Sequence, residues 1–219
     1  MLRVATMTKT VICSHGFAMR ADSAGLFTDI ERAFPSYQFR MFDYYDIDTD
    51  GNQYVTTLDT QATRLQCEID AAPAGKITLL CHSQGSTVAS LVDISRVDSI
   101  ILLAPPVDIT ADSVFARLAQ RTHSTLTRSG MSAVPRRNGT VLYIPAEYFD
   151  SIEREDRLQL YQRMAHKKPL TVVRALDDEI LGLTRVDELE DSTLYDIAAD
   201  HNFRGESRQL LIDVVAREL

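Results

Sequence analysis

The sequence predicts an α/β protein: a mostly parallel sheet of about six strands, with helices packed on both faces. Three observations carry that expectation. Short apolar runs alternate along the chain with segments of helical periodicity, the order produced when crossover helices connect parallel strands. Several runs, such as "ITLLC" (77–81) and "IILLA" (100–104), are apolar almost throughout, as strands covered on both faces should be. One connection, the 65 residues between Ala104 and Leu170, far exceeds what a single crossover helix needs.

Taken in order, the first strand is the run at 10–14. A helix over 25–33 follows, then a strand over 38–43. The periodic stretch 56–71 is the next helix and leads into the strand at 76–82. A short helix over 85–92 precedes the strand at 99–104. Beyond the long connection, a helix over 151–165 leads to strands at 170–175 and 193–198, and a helix over 206–218 closes the chain. The long connection holds a helical stretch (111–120), an Arg/Ser/Gly-rich segment (121–139) and an apolar-aromatic piece, "TVLYIPAEYF" (140–149). It leaves the carboxyl end of a strand, the edge where open α/β sheets bind ligands. The expectation is one domain over 1–219, with a lid insertion at about 106–168.

Bulk properties narrow the function. A chain of 219 residues, 45% hydrophobic and 25% charged, suits one soluble domain with a sizeable core. A net charge of −8 repels phosphate, which argues against a nucleic-acid or anionic-membrane partner. The longest apolar stretches are near strand length, so no membrane span is expected. The first ten residues, "MLRVATMTKT", lack the apolar core of a secretory signal, and Met7 is an alternative start. Cys13, Cys67 and Cys81 are odd in number and have no CxxC spacing, so neither a disulfide framework nor a zinc site is indicated. Two of them end apolar runs and read as small core residues. A reducing cytoplasm is the expected location.

The chemistry centres on "CHSQG" (81–85). A strand that turns sharply into a helix around a serine exposes that side chain in a strained position. Small residues are needed two before and two after, because the two backbones crowd there. Gly85 meets that need, and Cys81 stands where G-x-S-x-G has its first glycine. The plainer alternative is an ordinary turn with Ser83 as a helix N-cap. A serine hydroxyl becomes a useful nucleophile only when a base takes its proton and an acid holds that base in one tautomer. "TVVRALDDEIL" (171–181) is an apolar strand that delivers acids at its carboxyl end, and "DIAADHNF" (196–203) places His201 just past the last strand.

"SHGF" (14–17), "CHSQGS" (81–86), "ALDDEI" (175–180) and "DHNF" (200–203) together resemble the α/β-hydrolase superfamily, over nearly the whole chain. The resemblance implies Ser83 as nucleophile, His201 as general base and acid, and one of two adjacent aspartates as the orienting acid. Asp178 fits the family's spacing better, and Asp177 stays an alternative. It also implies an oxyanion hole from the backbone N–H groups of Phe17 and Gln84. His15, Gly16 and Gly85 would support it by shaping the loops. No metal and no cofactor is implied. The expected activity is cleavage of a small soluble carboxylic ester. Thioesterase, lysophospholipase, C–C or amide hydrolase readings use the same triad, and a catalytically silent binding protein on this fold is the rival from another class. The chain departs from larger members in two places: little precedes residue 10, where one or two of the usual eight strands would lie, and "FDYYDIDTDGN" (42–52) replaces a Gly-rich turn.

Other signals have plainer accounts. "DIDTDG" (46–51) imitates a calcium loop, but Thr57 sits where a bidentate Glu is required, so a solvated acidic loop is expected. His82 is the variable position of the elbow, His123 lies in the insertion, and His166 suits the negative end of a helix dipole. Arg117, Arg121, Arg128, Arg136 and Arg137 fall in a stretch, 113–146, with no acid. A solvated surface is the first account of them; pairing with a carboxylate or phosphate on the substrate is the second. Tyr143, Tyr148 and Phe149 read as packing within the insertion before they read as an acyl pocket.

Overall fold

The computed structural model describes residues 8–219, so Met7 and most of the stretch weighed as a signal lie outside the described residues. In order, the chain forms β1 (Thr8–Ser14), α1 (Leu26–Ala33), β2 (Gln38–Met41), β3 (Asp46–Ile47), β4 (Gln53–Tyr54), α2 (Leu58–Asp70), β5 (Gly75–His82) and α3 (Gln84–Ala89). Then come β6 (Ser99–Leu103), α4 (Ala111–Ala119), β7 (Met131–Pro135), β8 (Val141–Pro145), α5 (Ala146–Glu153), α6 (Arg157–Ala165), β9 (Leu170–Ala175), β10 (Ser192–Ile197) and α7 (Ser207–Glu218). No described helix is long and apolar enough to cross a membrane.

Six strands form a wholly parallel sheet in the order β10-β9-β6-β5-β1-β2. The reason lies in the apolar runs. In β5, Ile77, Leu79 and Cys81 face the layer holding α2 and α3, while Leu80 faces the layer holding α1 and α7. In β6, Ile100 and Leu102 take the first face and Ile101 and Leu103 the second. Successive side chains point to opposite faces, so only an apolar run can serve a strand covered on both. Cys13 and Cys81 are fully buried among these residues, and Cys67 is exposed. All six expected strands are present, with ends moved by at most two residues. The register pairs Ser14 with Cys81, His82 with Leu103 and Ile197 with Ala175, so five strands finish at one edge.

The long connection is more ordered than its composition suggests. A second, four-stranded sheet runs β3-β4-β8-β7. The Arg/Ser/Gly-rich segment contains β7, antiparallel to β8, with Ser132 and Val134 facing inward. The expected helix over 151–165 is in fact two helices, α5 and α6. They break where Asp156 turns extended and its side chain accepts from the Gln159 amide, restarting the helix with an N-cap. The acidic loop closes the β3–β4 hairpin: the Asp48 carboxylate accepts from the Asp50 and Asn52 amides at 3.0 and 2.9 Å, so it organises a turn. Val134, Leu142, Ile144, Tyr148 and Phe149 from this connection join the same apolar cluster as Leu79 and Leu102 of the main sheet.

Candidate active site

Ser83 stands where β5 turns into α3. Its backbone has a positive φ (φ 52°, ψ −124°), a sparsely populated conformation that costs a non-glycine residue roughly 1–3 kcal/mol and is held only by its surroundings. Three features hold it. The Ser83 amide donates to the Leu103 carbonyl of the neighbouring strand at 2.8 Å. Gly85 lets the two backbones meet, since a Cβ there would lie 2.1 Å from the Ser14 carbonyl oxygen. The Ser14 hydroxyl donates back to the Gly85 carbonyl at 2.7 Å and contacts the Tyr44 hydroxyl at 2.6 Å. Ser83 occupies the N-cap position of α3, as the plainer alternative has it, but its side chain makes no cap bond and points instead to His201.

Strand ends bring two further groups to this serine. His201, in the turn after β10, has Nε2 at 2.9 Å from Ser83 Oγ and Nδ1 at 2.7 Å from Asp178 Oδ2. Asp178, in the loop after β9, is fixed by its other oxygen, which accepts from the Ile180 and Leu181 amides at 2.8 and 2.7 Å. Burial raises the pKa of its carboxyl, but the hydrogen bond and positive charge offered by His201 and the two amides outweigh it, so the net shift is downward. The neighbouring Asp177 is exposed and makes no contact with the imidazole. An ionised Asp178 accepts the Nδ1 proton, which leaves Nε2 with a lone pair facing the serine hydroxyl.

The "SHGF" loop leaves β1 beside the same point. A Cβ on Gly16 would lie 3.2 Å from Ser83 Cβ, so this turn runs against the serine. His15 is fully buried. Its Nε2 accepts from the Tyr44 amide at 3.1 Å, so Nδ1 carries the proton and donates to the Gly16 carbonyl at 2.9 Å. Burial pushes its pKa down to about 4, which keeps it neutral. Among the described residues, the amides of Phe17 and Gln84 have no protein acceptor. The Phe17 ring stacks on Tyr148 with centroids 5.2 Å apart, and the Tyr148 hydroxyl donates to the Gln84 side chain, which also bonds Gln61.

Two residues that hold His201 carry no signal in the sequence pattern. His82, read as the elbow's variable position, is fully buried: Nε2 donates to the His201 carbonyl at 2.9 Å and Nδ1 accepts from the Ser23 hydroxyl at 2.8 Å. Its pKa is pushed down to about 3, first by burial and then by His201 nearby. Glu179 accepts from the His201 amide at 2.9 Å. Both depend on which loops meet in space. The remaining histidines stand apart: His123 is exposed in the insertion, and His166 caps α6 and pairs with Asp191 at 3.0 Å. Among the described residues, no group of three His, Cys, Asp or Glu side chains is arranged to hold a metal.

A cavity of about 750 Å³ opens over Ser83 and His201, between the sheet edge and the insertion. Leu58, Ile109, Val114, Leu118, Ile152 and Leu181 give it apolar walls. The solvated-surface account of the insertion's arginines holds in part: Arg121 and Arg137 are exposed, whereas Arg117 and Arg136 are half-buried. Arg128 fits it, pairing with Asp112 and lying over the Phe115 ring, but Arg117, Arg121, Arg136 and Arg137 all line the cavity. Arg157, from α6, joins them. Tyr148 lines the cavity and Phe149 is packed behind it, whereas Tyr143 stacks on Tyr54 at 4.8 Å.

Neither a protein-family profile nor a curated protein matches this sequence. Solved structures do. Est1E from Butyrivibrio proteoclasticus superposes with a TM-score of 0.69 at 15% identity, over 96% of this chain and 86% of that one. The esterase domain of a Rhodothermus marinus protein gives 0.65 at 16% identity, over 98% and 88%. A pyrethroid hydrolase from Sphingobium faniae gives 0.64 at 14% identity, over 97% of both chains. At such identities the likeness is one of fold, and with the parallel sheet and its strand order it places this chain in the α/β-hydrolase fold.

Proposed function

We propose that this protein is a serine hydrolase that cleaves a small carboxylic ester through an acyl-enzyme on Ser83. One observation carries the proposal: the unbroken hydrogen-bond chain from Ser83 Oγ through His201 to Asp178, buried at the carboxyl edge of the sheet. As Ser83 attacks the ester carbonyl, its proton passes to His201 Nε2. Asp178 stabilises the imidazolium that results and stays ionised. The amides of Phe17 and Gln84 receive the oxyanion; each such donor contributes about 3 kcal/mol in the transition state. His201 then gives the proton to the leaving alcohol. Water, deprotonated by the same nitrogen, releases the acid and restores the serine.

His15, Gly16 and Gly85 act through shape, setting the loop and the elbow that aim those donors. The residues at about 106–168 serve as a lid that closes the cavity from above. Ester cleavage is preferred to thioester, amide or C–C cleavage because similar structures are described as esterases and a pyrethroid hydrolase. A silent binding protein is disfavoured, since it has no physical need for all three groups in bonding geometry. A fluorophosphonate probe should label the folded wild-type protein and leave Ser83→Ala unlabelled. Failure to label a folded wild type would overturn the proposal.

A further inference from the structure

Resting on the hydrolase reading above, we infer that the ester carries a second, anionic group, a carboxylate or a phosphate, held by the arginines of the cavity. Five arginines line it, Arg117, Arg121, Arg136, Arg137 and Arg157, and its lining contains no Asp or Glu. This is a local inversion of charge in a protein whose net charge is −8. Elsewhere the chain neutralises its guanidiniums. Among the described residues, ten of the thirteen arginines outside the cavity have a carboxylate oxygen within 4.0 Å, and none of the five inside does.

Three of the five are fixed in place by groups that leave their charge uncancelled. Arg117 donates to the Ile180 carbonyl, two residues after Asp178, and Arg136 donates to the Ala18 carbonyl, next to Phe17. Arg157 is only 5% exposed; it donates to the Ile109 and Ile152 carbonyls at 2.7 and 2.9 Å. Arg157 also faces Asp108 across a second, smaller cavity, so Arg117 and Arg136 are the cations most free to meet a substrate anion. The planar guanidinium fork suits both carboxylate and phosphate. The apolar walls take the hydrocarbon part of the substrate.

The test compares a neutral ester, p-nitrophenyl butyrate, with its carboxylate-bearing counterpart, p-nitrophenyl hemiglutarate, and with an acyl ester of glycerol phosphate. The expected kcat/KM favours one anionic ester over butyrate by about tenfold or more, expressed in KM, and the preference shrinks with added salt. Which anionic ester leads distinguishes carboxylate from phosphate. In Arg136→Gln, the ratio of anionic to neutral kcat/KM should fall about tenfold. Arg121→Gln, at an exposed side chain with no hydrogen bond of its own among the described residues, is the second variant and should lower the same ratio less. Equal use of neutral and anionic esters, or an unchanged ratio in both variants, overturns the inference.

Binding separates this inference from the hydrolase reading. Glutarate and inorganic phosphate are titrated calorimetrically into Ser83→Ala, where turnover plays no part. If no ester is cleaved but one anion binds and Arg136→Gln weakens it, the hydrolase reading fails and the anion site stands. If esters are cleaved but neither anion binds, the anion site fails alone.

Discussion

The carboxyl edge of the main sheet and the insertion above it are built on different principles. At the edge, position is set by backbone: Ser83, Asp178 and His201 each follow a parallel strand whose register is fixed by a doubly buried core. In the insertion, position is set by side chains reaching across: Arg117 to Ile180, Arg136 to Ala18, Tyr148 to Gln84. The first arrangement resists change because moving one strand moves all its neighbours. The second leaves room for the cavity to vary while the edge stays fixed.

The largest effect that would sharpen this contrast lies at the edge. Asp178→Asn should lower kcat by about 10⁴-fold, because the amide turns the imidazole to the wrong tautomer. Asp177→Asn, at an exposed side chain, should leave kcat within about a factor of three. Steady-state kinetics on a p-nitrophenyl ester decides, and the reverse order would move the acid to Asp177.

Next come two glycines that test backbone against side-chain control. Gly85→Ala drives a Cβ to 2.1 Å from the Ser14 carbonyl oxygen, with no flexible atom to yield. It should cost at least about 4 kcal/mol in urea unfolding, or prevent folding. Gly139→Ala, in the β7–β8 turn, has φ +85° but open space around it, and only left-handed strain of about 1–2 kcal/mol is expected. Equal losses would break the comparison.

The remaining effect is the response to acid. His15 and His82 are buried and neutral, with pKa values pushed from 6.5 down to about 4 and about 3. The unfolded chain binds protons on both below pH 6.5, and the folded chain does not until much lower. Their contribution is therefore complete above that pH and is lost as pH falls toward 4. Both belong to the edge. A urea midpoint that holds steady from pH 7.5 to 4.5 would sink this account.

The same contrast explains what could be read without coordinates. Strands such as 77–81 announce themselves because burial on both faces leaves only apolar residues, and the strand ends then locate Ser83, the two aspartates and His201. β7 did not, because Met131–Pro135 is flanked by Gly130 and ends on proline, which in a sequence reads as a turn. The break between α5 and α6 was hidden in a charged run, where Asp156 is one acid among several until its cap is seen. His82 and Glu179 act on His201 across loops, and sequence separation conceals such pairs. The arginines were legible in part: Arg121, Arg128 and Arg137 are exposed, as an acid-free basic stretch suggests, while Arg117 and Arg136 are half-buried beside the cavity.

The two guanidinium ties at Ile180 and Ala18 have a consequence for redesign. They fasten α4 to the loop that carries Asp178 and the β7–β8 turn to the loop that carries Phe17. A foreign cap spliced onto this sheet would sever both fastenings at once. Chimeras that keep residues 117 and 136 with their loops should therefore stay active where wholesale transplants go dead, even when each transplant folds.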